Sequence, residues 1–231
     1  MTYDVNEIIN ILNHTKLEEH LNKYHDFNYG DVSMIRDYLP EGWDVYSGCT
    51  KCVIVPPPGY DYVIKLPFNT DYYEDMDEDE SCATLEGGYL PISEQYTGNY
   101  CAVEEELSYL AEDEGVAEFF ALTKHICNIC NGEMPVYIQE RCDGLGFPDA
   151  NPSLTPEAKR TAGQIQDNSH TLYGLRKDFL AAGVLVYGPE ALKKLDNFIE
   201  NWSIQDLHDG NYGYKHLTFI PKIFDFSGYE G

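Results

Sequence analysis

The chain has 231 residues, of which 43% are hydrophobic, and this is enough for one large domain or two small lobes with a proper core. Its 40 acidic residues outnumber 15 basic ones, and the formal net charge of -25 disfavours nucleic acid and anionic membranes as partners. No apolar run reaches the length of a transmembrane helix, and the N-terminal MTYDVNEIIN lacks the basic and apolar regions of a signal peptide, so we expect a cytoplasmic protein.

The first third of the chain predicts helices followed by a small sheet. Apolar residues recur at helical spacing along DVNEIINILNHTKLEEHLNKY, and a shorter helical stretch follows at DVSMIRDYL. The next segment is rich in β-branched and aromatic residues, which turn-forming Gly and Pro divide. It predicts three short strands, Trp43–Tyr46, Lys51–Val55 and Tyr60–Leu66. The acidic run TDYYEDMDEDES then predicts an exposed loop.

The rest of the chain predicts a mainly helical part. CAVEEELSYLAEDEGVAEFFALT predicts one helix, and MPVYIQERC predicts a strand. Beyond the loop GLGFPDANPSL, three helices are predicted: one that begins at Thr155 and Pro156, one over about 170–181, and GPEALKKLDNFIENW. Two strands follow, Tyr212–Tyr214 and Lys222–Phe224. The fold class is therefore α+β, with a sheet-containing part over 1–143 and a mostly helical part over 144–231.

Seven cysteines, an odd number in a chain without an export signal, predict reduced thiols rather than a disulfide framework. Two C-x-x-C pairs, Cys49/Cys52 and Cys127/Cys130, leave a tetrahedral zinc site open as an alternative. The pairs are far apart in the sequence and neither contains a glycine, so buried thiols are the favoured interpretation.

Lys65 is unusual because it lies within the apolar strand YVIKLPF, on the same face as Val63. Its ammonium group either reaches solvent from an edge strand or points inward to meet an anion. The preceding turn SGCTK contains Gly48, which allows backbone N–H groups to approach a phosphate closely. On the following helix Glu104 shares a face with Leu107 and Ala111, so it is the first choice to pair with Lys65, before Glu106.

The end of the chain has the strongest chemical pattern. The loop DLHDGN contains Asp206 and Asn211, and IFDFSG places Asp225 at the end of a strand. Phosphoryl transfer from ATP needs a carboxylate near the acceptor hydroxyl, together with an amide oxygen and a carboxylate that hold Mg²⁺. These three residues have the side chains for those roles in that order. The alternative is an Asx-rich turn followed by an unrelated Asp-Phe pair.

Together, VIK, the inward helical glutamate, DLHDGN and IFDF resemble the ordered motifs of the protein kinase-like superfamily. DLHDGN is most similar to the DLHPGN loop of aminoglycoside phosphotransferases and atypical kinases. The resemblance covers about 45–231. It implies a bilobal kinase-like fold, with an N-lobe of a small antiparallel sheet plus one helix and a shortened helical C-lobe, and with ATP and Mg²⁺ in the cleft between the lobes.

The resemblance also implies a role for each matching residue. Lys65 would bind the α- and β-phosphates and Glu104 would orient it. Asp206 would be the catalytic base, while Asn211 and Asp225 would hold Mg²⁺. The remaining positions are Gly48 in the phosphate loop and a hinge whose backbone contacts adenine, formed by Glu140, Arg141 and Cys142.

The chain also departs from the kinase pattern. Ile204 and Gln205 stand where protein kinases have His-Arg, and Ser227 replaces the last residue of the DFG motif. His208 either contacts phosphate or caps its loop. Because six residues follow Asp225, we expect no activation segment and no peptide-binding platform.

Two functions stay open. One is an ATP/Mg-dependent phosphotransferase that acts on a small-molecule or protein hydroxyl, for which the acidic charge favours a cationic acceptor. The other is a catalytically inactive pseudokinase that serves as a nucleotide-binding or protein-interaction module.

Overall fold

A computed structural model of the chain describes residues 1–24, 27–48, 50–68, 99–145, 154–204 and 207–226. Within these ranges the fold is α+β, and the residues form two compact units. The first unit contains the residues up to 68, together with 99–105 and 123–140. The second contains 106–122 and the described residues from 141 onward. The predicted acidic loop TDYYEDMDEDES lies outside the described residues.

Three helices open the first unit: α1 (Val5–His14), α2 (Leu17–Tyr24) and α3 (Val32–Arg36). Asp4 caps α1, because its carboxylate accepts a hydrogen bond of 2.9 Å from the backbone N–H of Asn6. The apolar residues that repeat at helical spacing, among them Ile8, Leu12 and Leu21, are buried. The amphipathic pattern in the sequence therefore corresponds to helices whose apolar face is covered.

The same unit contains a five-stranded antiparallel sheet in the order β1-β2-β3-β5-β4. Its strands are β1 (Asp44–Ser47), β2 (Lys51–Val55), β3 (Tyr62–Pro67), β4 (Thr123–Ile129) and β5 (Met134–Glu140). One face is apolar: Ile54, Ile64 and Ile138 lie side by side across three strands and are fully buried. This face packs in one core with the buried residues of the N-terminal helices. The opposite face is left to carry the polar side chains of the site.

The predicted helix CAVEEELSYLAEDEGVAEFFALT is too long. The observed α4 (Tyr100–Asp113) ends two residues before Gly115, whose φ of 70° is a left-handed conformation that glycine adopts without steric cost. The N–H groups of Gly115 and Val116 donate to the carbonyls of Glu112 and Ala111, which closes the helix. Further along the chain lies β4, a strand that the sequence did not predict.

The second unit contains α5 (Pro156–Asp167), α6 (Lys177–Val186), α7 (Pro189–Asn201) and a three-stranded antiparallel sheet. The strands of this sheet are β6 (Cys142–Gly144), β7 (Tyr212–Lys215) and β8 (Pro221–Ile223). Thr155 caps α5 as predicted, since its hydroxyl accepts a hydrogen bond from the N–H of Ala158. Among the described residues, none of the helices is both long and apolar enough to span a membrane.

The helix predicted over 170–181 is shifted by several residues in the structure. The carboxylate of Asp196 accepts hydrogen bonds from the hydroxyls of Ser169 and Thr171 and from the backbone N–H of Thr171. These bonds hold the segment as a turn, and α6 begins only after Arg176. A contact with α7, distant in sequence, therefore overrides the local helical pattern.

Candidate functional site

Lys65 and Glu104, which the sequence predicts to pair, form a buried ion pair in the first unit. Lys65 lies in the middle of β3, and its Nζ donates to both carboxylate oxygens of Glu104, at 2.9 and 2.8 Å. Lys65 is 2% exposed and Glu104 is fully buried, so neither charge is solvated by bulk water. Of the two alternatives for Lys65, the structure has the inward-pointing one.

A second lysine, which the sequence did not predict, contacts the same carboxylate. Lys51, the first residue of β2, is 3% exposed, and its Nζ donates to Oε1 of Glu104 at 2.8 Å. Val53 of β2 pairs with Lys65 across the sheet, so Lys51, two residues before Val53, projects from the same face as Lys65. The alternation in KCVIV is the signal that finds Lys51 once the strand register is known.

Two neutral side chains also donate hydrogen bonds to Glu104. The Thr123 hydroxyl donates to Oε2 at 2.9 Å, and Nε2 of Gln139 donates to the same oxygen at 3.2 Å. Gln139 also donates to the Thr123 hydroxyl at 2.8 Å, which fixes both side chains. We call this group the Glu104 cluster; its members are Lys51, Lys65, Glu104, Thr123 and Gln139. It gathers two ammonium groups on one face of the sheet, and ammonium groups are common phosphate ligands in proteins.

Gly48 lies in the turn that leads into Lys51. The Gly48 N–H donates to the Lys51 carbonyl at 2.8 Å, and the Phe68 N–H donates to the Thr50 carbonyl. A Cβ atom at Gly48 would lie 3.4 Å from the Lys51 carbonyl oxygen, an ordinary contact, so neighbouring atoms do not require glycine here. Cys49 lies outside the described residues.

The predicted hinge residues lie where β5 ends. Glu140 is the last residue of β5, and Cys142 is the first residue of β6 in the second unit. Arg141 and Cys142 are held within the second unit. The Arg141 carbonyl accepts a hydrogen bond from the His216 N–H, and Cys142 pairs with Lys215. The Asp143 carboxylate next to them accepts a hydrogen bond of 2.9 Å from His216 Nδ1.

In the second unit the backbone brings Asn211 beside the residue that precedes Asp225. The Asn211 carbonyl accepts a hydrogen bond of 2.8 Å from the Phe224 N–H, and Tyr212 pairs with Ile223 in the adjoining strands. Asn211 is 5% exposed. Asp206, the predicted catalytic base, lies outside the described residues.

Asp225 has a left-handed backbone conformation, with φ at 57°. This conformation is uncommon for residues other than glycine, and such outliers concentrate at functional sites. No group of three or more His, Cys, Asp or Glu side chains that suits a metal occurs in the described ranges. Mg²⁺ needs fewer protein ligands than such a group provides, because proteins commonly bind it through one or two carboxylates while phosphates and water supply its other ligands. An amide and a carboxylate from Asn211 and Asp225 fit that requirement.

His208 caps its own loop. Its Nδ1 accepts a hydrogen bond of 3.0 Å from the Gly210 N–H, which requires the ring proton to be on Nε2 when the imidazole is neutral. This contact agrees with a capping role, and the alternative contact of His208 with phosphate stays a prediction.

Cys52, Cys127 and Cys130 are free thiols that differ in burial. Cys52 and Cys130 are buried, whereas Cys127 is half-buried. Burial raises the pKa of the Cys52 thiol strongly and that of Cys130 to about 11. The thiols of Cys52 and Cys130 therefore stay protonated at neutral pH when no metal is bound.

Tyr212 holds the loop that contains Asn211. Its hydroxyl donates to Asp209 Oδ1 at 2.6 Å and accepts a hydrogen bond from the backbone N–H of Arg176. Burial, followed by the hydrogen bond to Asp209, raises the pKa of Tyr212 well above its usual value. The phenol therefore stays neutral in the folded protein at pH values where an unfolded tyrosine ionises.

Replacing Tyr212 with phenylalanine is expected to lower the free energy of unfolding at pH 7 by about 1 kcal/mol, because a buried hydrogen bond is lost. Because the folded-state pKa is raised, ionisation of the unfolded state destabilises the wild type above about pH 10, where the variant is unaffected. The difference in free energy of unfolding between the wild type and Tyr212→Phe should therefore decrease as the pH rises. Urea unfolding at pH 7 and pH 11 measures this. Tyr173→Phe, at an exposed position, is the control; equal effects of both substitutions at pH 7 would refute the account.

Comparison of the chain with protein-family models, with curated proteins and with solved structures finds no match. The function is therefore inferred from the residues of the chain and their geometry.

Proposed function

We propose that the chain is an ATP- and Mg²⁺-dependent phosphotransferase with a bilobal, protein kinase-like fold. The observation that carries the proposal is the buried ion pair between Lys65 and Glu104, which joins a central strand to the helix that follows it. Burying a charge costs several kcal/mol per ion, so a buried lysine–glutamate pair is poorly explained by stability alone. A lysine held in a fixed orientation by a carboxylate is well suited to bind a phosphate group.

The reaction also needs groups that hold Mg²⁺ on the phosphates. Asn211 and Asp225 would hold Mg²⁺, which would neutralise charge on the phosphates as the transferring group develops negative charge. Asp225 lies in a strained conformation and Asn211 is buried, and both features support a role that depends on fixed side-chain positions.

In this proposal Lys65 binds the phosphates of ATP and Glu104 keeps its ammonium group in place. Asp206 accepts the proton of the acceptor hydroxyl while the hydroxyl oxygen forms a bond to the γ-phosphorus. The bond between that phosphorus and the β,γ-bridging oxygen breaks, and ADP leaves with the electron pair. The acceptor is a small-molecule or protein hydroxyl, and the net charge of -25 favours a cationic one.

Asp206→Asn is expected to lower the rate of phosphoryl transfer by about 10²- to 10⁴-fold, because the base is lost, and to leave ATP affinity unchanged. The assay follows ADP release in Mg²⁺ with water, aminoglycosides and basic serine-containing peptides as acceptors. Asp113→Asn, which removes an exposed carboxylate, is the matched control.

Each result has a distinct meaning. Wild-type turnover by Asp206→Asn would exclude Asp206 as the base. A wild-type protein that binds Mg·ATP but transfers phosphate to none of these acceptors would favour the nucleotide-binding pseudokinase over the enzyme.

A further inference from the structure

Two lysines meet at one carboxylate oxygen in the Glu104 cluster. Lys65 Nζ lies 2.9 Å and Lys51 Nζ lies 2.8 Å from the same Oε1 atom. Both lysines are at least 97% buried. The proposed function assigns a ligand to Lys65 and leaves the purpose of the second buried ammonium group unexplained.

Glu104 receives more hydrogen bonds than a carboxylate readily accepts. At least five hydrogen bonds from described side chains reach it: two from Lys65 and one each from Lys51, Thr123 and Gln139. A carboxylate offers about four lone-pair positions. The donors therefore compete for Glu104. Lys51 gives up one bond to this carboxylate when it turns to another acceptor, whereas Lys65 gives up two.

Stability of the fold does not account for Lys51. Lys65 already contacts both oxygens of Glu104, so the carboxylate has a cationic partner without Lys51. Taking a further ammonium group out of water costs several kcal/mol, and a methionine of similar length would fill the space without that penalty. A buried ammonium group at this position is better explained by an anionic ligand.

The position of Lys51 indicates where on such a ligand it acts. Lys51 directly follows the turn that contains Gly48, and it pairs with Pro67, two residues beyond Lys65 along β3. On the common face of the sheet, Lys51 therefore lies on the turn side of Lys65. A ligand with two adjacent phosphate groups can place one group against each lysine, with the outer group on the turn side at Lys51.

We propose that Lys51 is a second phosphate-binding lysine, which exchanges its bond to Glu104 for one to the phosphate group nearest the Gly48 turn. The site then selects nucleoside di- and triphosphates over monophosphates. This inference rests on the proposed nucleotide-binding function and assigns specificity to the same site.

Calorimetric titration of ATP, ADP, AMP and adenosine into the wild type and Lys51→Met tests the proposal. We expect Lys51→Met to weaken ATP binding by about 10- to 100-fold, the effect of losing one hydrogen bond to a charged group, and to leave AMP and adenosine binding unchanged. Lys51→Arg should retain part of the ATP affinity. Lys124→Met, in β4 of the same sheet, controls for the loss of an exposed lysine.

Lys51→Met should fold, since Glu104 retains Lys65, and Lys51→Gln provides a second variant that keeps a polar side chain. Unchanged ATP affinity in Lys51→Met and Lys51→Gln would overturn the inference and leave the proposed function intact. An equal loss for ATP, AMP and adenosine would also overturn it, because the effect would then be a general disturbance of the site. Failure of the wild type to bind any of the four ligands would instead refute the proposed function, and the inference with it.

Discussion

Replacing Glu104 with alanine is expected to lower the free energy of unfolding by about 3–5 kcal/mol, because two buried ammonium groups lose their shared carboxylate. A loss of this size is a large part of the 5–15 kcal/mol typical of a folded domain. Urea unfolding followed by circular dichroism measures it. Thr123 and Gln139 would lose their acceptor as well, which adds to the cost.

Two further variants distinguish this explanation from a general effect of removing a glutamate side chain from α4. Glu106→Ala removes a half-buried glutamate two residues away in α4 and should cost far less. Adding Lys51→Met to Glu104→Ala should restore part of the stability, because one fewer ammonium group is then left without the carboxylate. Equal free energies of unfolding for Glu104→Ala and Glu106→Ala would show that the buried ion pair contributes little to stability.

Asp225→Asn is expected to remove the Mg²⁺ dependence of ATP binding and to lower turnover by about 10²- to 10³-fold, the effect typical of losing one electrostatic contact to the reacting group. Asparagine tolerates the left-handed conformation of this residue, so the substitution removes a charge without changing the backbone. Calorimetric titration of ATP with and without Mg²⁺ measures the first effect, and ADP release measures the second.

Asp225→Gly separates the backbone strain from the carboxylate. Glycine adopts a φ of 57° without steric cost, so local strain is relieved while the metal ligand is still lost. We expect this variant to be as inactive as Asp225→Asn. Metal-dependent ATP binding that survives in both variants would contradict the assignment of Asp225 to Mg²⁺.

Much of the first unit follows from local sequence patterns. The strands around Lys51–Val55 and Lys65 are predicted because β-branched residues lie between turn-forming glycine and proline. Glu104 is predicted to face inward because it shares a helical face with Leu107 and Ala111, and all three are fully buried. These inferences need only contacts between residues close in sequence.

Other features depend on contacts between distant residues. The strand β4 has a break in its pairing between His125 and Cys127, and this irregularity obscures the alternation by which strands are recognised. The turn before α6 is formed by Asp196, more than 20 residues away. Lys51 is identified as a site residue only through its register with β3, because nothing in KCVIV indicates which carboxylate its side chain meets.

Calorimetric titration of ATP into the folded wild-type protein, with and without Mg²⁺, tests the central claim most directly. The proposed function predicts that ATP binds, that Mg²⁺ strengthens binding, and that Lys65→Ala weakens it. Absence of ATP binding by a wild-type protein shown to be folded would contradict the claim, and the Glu104 cluster would then be a buried structural ion pair without a nucleotide ligand.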